Sequence, residues 1–92
     1  MSKIDATLKA RDARYGTFLV NATASQHIKF VFRETANWHQ LLPDQKEALE
    51  QIATKIGRLL TGDFNFIDSW HDIAGYAKLI EDRLNAIPLN RD

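Results

Sequence analysis

Apolar positions recur every three or four residues along nearly the whole chain, and no stretch alternates with period two. The pattern predicts helices and no sheet. A short, weak first helix is expected from Ser2 to about Arg11, with Ile4 and Leu8 on one side. The triplet RYG, Arg14 to Gly16, reads as a loop in which glycine supplies backbone freedom. A second helix should run from about Phe18 to Ala36, and the segment NWHQLLP should connect it to a third, Pro43 to Leu60. Proline suits the first turn of a helix, where its missing N–H would have no partner, and Thr61-Gly62 is a typical stop. After the turn DFNF, a last helix is expected from about Ile67 to Ala86, ended by Pro88.

These helices differ in how many sides they would bury. In the third, Leu49, Ile52, Ala53, Ile56, Leu59 and Leu60 gather on one stripe; in the last, Trp70, Ile73, Tyr76, Ala77, Ile80 and Leu84 do the same. The Phe18 helix carries a stripe of Val20, Ala24, Ile28, Val31 and Phe32, yet Leu19 and Phe30 point elsewhere. Those two are eleven residues apart, a spacing that returns to nearly the same side of a helix. Either the first helix folds over them or a second subunit does, and a homo-oligomer with Leu19 and Phe30 at the interface is the favoured expectation. The resulting architecture is a single all-α domain over residues 1–92, with three main helices plus the short N-terminal one, of helical-bundle type and completed by oligomerisation.

Composition narrows the function classes. Twelve basic and twelve acidic side chains balance, so no overall field draws the chain to nucleic acid or anionic lipid. With no cysteine, disulfides and thiolate chemistry are excluded, which suits a reducing cytoplasm. The N-terminus lacks the apolar core of a signal peptide and no apolar run is of membrane-spanning length, so a cytoplasmic protein without a membrane partner is expected.

Two acidic pairs could hold a divalent cation. Glu47 and Glu50 share a side of the third helix, but at ~100° per residue they lie nearly opposite its apolar stripe. Asp68 and Asp72 are better placed as magnesium ligands, because Asp72, Tyr76, Leu79 and Arg83 run along the border of the last helix's stripe. A carboxylate on such a border needs a cation, a donor or a metal. Lys55 occupies the corresponding border of the third helix, with Arg58 further out, so an Asp72–Lys55 ion pair is the structural expectation. Helix capping is another: Asp68 or Ser69 accepting from the first turn, with Asp72 completing a capping box. Gly75 and Gly57 interrupt helices where alanine would be better by ~1 kcal/mol, which points to close approach of a helix or a flat ligand. His27, His39 and His71 show no ligand spacing, and no glycine-rich phosphate loop is present. Phosphate contacts would have to come from Arg14, Lys55 and Arg58.

The stretches RYG, KIGRLL (Lys55 to Leu60) and DSWHDIAGYAKL (Asp68 to Leu79) resemble a family of small phage and prophage proteins of unassigned function, over Arg14 to Leu84. That family is in turn distantly similar to the all-α nucleoside triphosphate pyrophosphohydrolases of the MazG and dimeric dUTPase group. The resemblance implies a helical oligomer in a bacterial host cell and a nucleotide-sized ligand. In that group magnesium is held by E-x-x-E on one helix and E-x-x-D on a later one. Glu47 and Glu50 have the spacing of the first pair and Asp72 stands at the final aspartate, but Ser69 occupies the remaining acidic position and Asp68 lies one residue behind it. Three functions are therefore in play. A non-catalytic binder of a nucleotide or nucleotide-derived signal, built from Asp68, Asp72, Tyr76, Lys55, Arg58, Arg14 and Tyr15, ranks first. An adaptor for a host or phage protein, using Trp38 and Phe64, ranks second, and a magnesium-dependent pyrophosphohydrolase last.

Overall fold

The computed structural model describes residues 2–86, which form four α-helices and no strand. They are α1 (Lys3–Tyr15), α2 (Phe18–Arg33), α3 (Pro43–Thr61) and α4 (Ile67–Asn85), with a 3-10 turn at Asn37–Gln40 between α2 and α3. The proline at 88, expected to end the last helix, lies outside the described residues. Among those residues no helix is long and apolar enough to cross a membrane.

Local chemistry sets the helix starts. Ser2 Oγ accepts from Asp5 N–H at 3.1 Å while the Asp5 carboxylate accepts from Ser2 N–H, a complete capping box. That cap, which the sparse apolar pattern does not reveal, lets α1 run through Arg14 and Tyr15, so only Gly16 of RYG stands outside a helix. Thr17 caps α2 by accepting from Val20 N–H. At the start of α3, Gln45 Oε1 accepts from Leu42 N–H at 2.9 Å, and Pro43 takes the first helical position. The expected cap at Asp68 or Ser69 does not form, because α4 begins earlier, with Phe66 at the cap position, and Ser69 is buried.

The three long helices form a layer with α3 in the middle, packed against α2 on one side and α4 on the other. The seam between α2 and α3 is built from small side chains. Asn21 and Ser25 are the buried residues of α2; Ser25 meets Thr54 of α3, and both lie against Gly57. A Cβ added to Gly57 would lie 3.1 Å from Asn21 O and 3.2 Å from Ser25 N, so glycine is what lets the two backbones approach. This corrects the expectation that Val20, Ala24, Ile28, Val31 and Phe32 face the core together: Val20 and Val31 are exposed. Trp38 is corrected too. It is 8% exposed and stacks on Phe32 with ring centroids 5.4 Å apart, closing one end of the layer.

At the other end α1 is clamped onto α3. Thr61 Oγ lies 2.7 Å from Tyr15 O and 2.9 Å from Gly57 O, its single proton serving one at a time, and Asp63 N–H donates to Arg14 O. Gly16 has φ +78°, and a Cβ there would collide with Thr61 O. Beyond this clamp α1 buries nothing, and it does not cover Leu19 or Phe30, which are 75% and 56% exposed.

Candidate functional site

Helix phase gives the layer two unlike faces. Leu49 and Arg58 are nine residues apart on α3, and at ~100° per residue they leave that helix in opposite directions. On the Arg58 side the layer is polar. A groove between α2 and α3 is lined there by Ala22, Gln26, Lys29, Thr54 and Arg58, among others, and the border with α4 carries charged pairs.

The candidate site lies along that border. Lys55 Nζ sits 3.1 Å from Asp72 Oδ2, the ion pair expected from the sequence. Its two ends differ in solvation. The Lys55 side chain is 15% exposed, its stem held between helices, while that of Asp72 is 43% exposed and keeps a side open to solvent. Asp72 also lines an open groove of about 390 Å³ along α4, together with His71, Gly75, Tyr76 and Leu79. The groove is shallow and open, so a ligand there would lie along α4 with one side in solvent. The five residues all come from the stretch DSWHDIAGYAKL, and nothing within 4 Å would meet a Cβ on Gly75. None of the described residues approaches the bare backbone there, so packing of one helix on another is not the reason for Gly75, and that backbone is open to solvent. At Gly57 close helix packing is the reason.

The remaining expected residues gather one helix turn away and beyond. Arg58 lies over the Tyr15 ring at 4.6 Å and Arg11 over the same ring at 5.6 Å, while Arg14 covers Phe66 at 5.4 Å. Tyr15 and Phe66 meet edge to face at 5.9 Å. A guanidinium stacked on a ring keeps its N–H edge free, the edge that binds phosphate in bidentate fashion. Lys55 and Arg58 stand three residues apart on α3, so they link the ring cluster to the Asp72 border. Asp68 is exposed in the first turn of α4 and is not part of the groove lining. Among the described residues no three acids or histidines come together to hold a metal ion. A four-carboxylate magnesium site does not fit this geometry.

One pair was not anticipated. The Arg83 guanidinium grips the Asp44 carboxylate through Nε and through Nη2, the latter at 3.0 Å. That hydrogen bond holds the Asp44 carboxyl below its ordinary value against the opposing effect of desolvation, with the positive charge of Arg83 adding less. The sequence does contain the signal: Asp44 stands eleven residues before Lys55, and Arg83 eleven after Asp72, so each lies on the same border as its neighbour. His71, which shows no ligand spacing in the sequence, lines the groove as well.

Compared with family models, with curated proteins and with solved structures, the chain matches none.

Proposed function

We propose that this protein is a non-catalytic binder of a nucleotide or nucleotide-derived signal, acting on the polar face of its helical layer. The observation that carries the reading is the groove beside the Lys55–Asp72 pair, where a half-solvated carboxylate, a tyrosine and a bare glycine backbone share one strip of α4. A carboxylate accepts from the amino or imino N–H groups of a base, or from ribose hydroxyls. Tyr76 offers a ring, and the open backbone at Gly75 admits a flat group. Arg58 and Lys55 supply cations one turn away for a phosphate. The resemblance to phage and prophage proteins supports a role in capturing a signal inside an infected bacterium.

The test is a thermal-shift screen of nucleotides with and without magnesium. A ligand at 100 times its dissociation constant adds ~2.7 kcal/mol to stability. Asp72→Asn and Lys55→Met should each abolish the shift, and Glu47→Gln with Glu50→Gln should leave it intact. Binding lost in the glutamate pair but kept in Asp72→Asn would refute the site and bring the pyrophosphohydrolase reading forward. An adaptor role has its own support: Phe64, Ile67 and Trp70 are exposed together around the turn into α4, although Trp38 is not available to it. A protein that shifts with no nucleotide would favour that reading.

A further inference from the structure

The face of the layer opposite the groove is apolar and uncovered. α2 contributes Val20, Ala24, Ile28 and Val31 to it, α3 contributes Leu49, Ile52, Ile56 and Leu60, and α4 contributes Ile73, Ala77 and Leu84. No charged residue interrupts these stripes. Leu60 is 71% exposed, and Val20, Val31 and Leu49 are exposed as well, while the isoleucines are half-buried at best. A groove of about 280 Å³ lies on this face, lined by Leu41, Gln45, Leu49, Ile52, Ala77 and Ile80. Only four apolar residues among the described ones are buried, Trp38, Ala48, Ala53 and Leu59, so one layer of helices does not make a core by itself.

We infer that a second copy of this chain covers that face, layer on layer, in a two-fold dimer. Size argues for it. The chain exposes 6860 Å², whereas a compact monomer of 10.5 kDa exposes about 5,400 Å². The radius of gyration is 16.0 Å, against about 12 Å for a compact chain of this length. Part of that excess is α1, which lies off this face, but if only half of it lies here, two copies would bury about 1,400 Å² together, a standard interface. Composition argues for it as well. An interface this apolar belongs to a permanent partner, since exposing it again costs too much, and the partner always made alongside this chain is another copy. Leu49 and Leu60 stand at its centre, whereas Leu19, nine residues before Ile28, and Phe30 on the same side as Leu19 leave α2 away from this face. The polar grooves then point outward from both sides of the dimer, which gives one ligand site per chain.

Sedimentation equilibrium of the intact protein tests this directly, with the expected mass twice that of the chain. The thermal midpoint should rise with protein concentration, as it does for any dimer that unfolds to separate chains. Leu49→Glu with Leu60→Glu should halve the mass, and Leu8→Glu, an exposed leucine of α1 off this face, should not. A wild-type chain that sediments as a monomer with a concentration-independent midpoint overturns the proposal, and so does a Leu49→Glu, Leu60→Glu variant that stays dimeric. If Leu19→Glu with Phe30→Glu dissociates the dimer and the Leu49, Leu60 pair does not, the contact is the α2 edge and this face is not the interface. The nucleotide screen reads the opposite face, so either result can fail without the other.

Discussion

Gly57 and Gly75 each stand in the middle of a helix, and replacing each by alanine separates the two reasons for a glycine there. The propensity gain is common to both, ~1 kcal/mol in favour of alanine. At Gly75 nothing opposes it, because no atom lies within 4 Å of the new methyl. At Gly57 the methyl would meet Asn21 O at 3.1 Å, Ser25 N at 3.2 Å and Ser25 Cβ at 3.3 Å. Two of those three atoms are backbone of α2, which cannot swing aside as the end of a side chain can. The helix as a whole must move outward, and overpacking of this kind costs ~1–3 kcal/mol. The net expectation is a gain of ~1 kcal/mol for Gly75→Ala and a loss of up to ~2 kcal/mol for Gly57→Ala.

For a domain of this size each kcal/mol moves the thermal midpoint by ~4–8 °C, so the two variants should part in opposite directions from the wild type. Thermal and urea unfolding by circular dichroism both read the difference. A Gly57→Ala protein as stabilised as Gly75→Ala would refute the close seam between α2 and α3. Gly75→Ala carries a second readout. If a flat ligand needs the bare backbone, this more stable variant should bind the nucleotide of the screen more weakly.

Three further outcomes follow from the same contacts. Gly16→Ala should cost more than Gly57→Ala, because a left-handed φ of +78° adds ~1–2 kcal/mol of strain to the collision with Thr61 O; urea midpoints rank the two. Asp44 has its folded pKa lowered by Arg83, so its contribution to stability is present above the ordinary aspartate value, about 3.9, and is lost as pH falls through the lowered folded value. Arg83→Met should bring the Asp44 titration seen by NMR back toward ordinary and flatten that acid limb. Lys55→Met should leave Asp72 without its cation and cost about 1 kcal/mol in unfolding experiments, with the loss shrinking at high salt.

How much of this is legible in the sequence depends on which physical signal carries it. Helix positions follow from apolar spacing and from Pro43 and Gly62, and they agree with the structure to within a few residues except at α1 and the end of α2. The stripes are legible too, but periodicity says only which residues share a side of a helix. It does not say whether the neighbour on that side is the same chain. Ile73, Ile52 and Val31 therefore read as core when they lie on a face that this chain leaves open. The α2–α3 seam is hidden for the opposite reason. Asn21, Ser25 and Gly57 are small or polar, and a reading weighted by hydrophobicity passes over them. The Lys55–Asp72 pair is legible because a charge on the border of an apolar stripe must find a partner.

The two interhelical ion pairs together carry more than either does alone. On α3 the order is acid then base, Asp44 and Lys55; on α4 it is also acid then base, Asp72 and Arg83, with the same spacing of eleven. Laid antiparallel, each acid meets the other helix's base, and in both pairs the two residue numbers add to the same value. Laid parallel, or slipped by one turn, acid would meet acid and base would meet base, or the pairs would be lost. The charges thus select direction and register in a seam whose apolar residues would tolerate others. Charge reversal tests this. Asp44→Arg alone should destabilise by setting two guanidinium groups together, as should Arg83→Asp by opposing two carboxylates, and the double reversal should recover most of either loss. Urea unfolding of the four proteins closes the cycle, and the coupling should weaken as salt is added. Losses that simply add in the double variant would mean that Asp44 and Arg83 do not meet in solution, and the register of α4 on α3, with the groove it frames, would have to be redrawn.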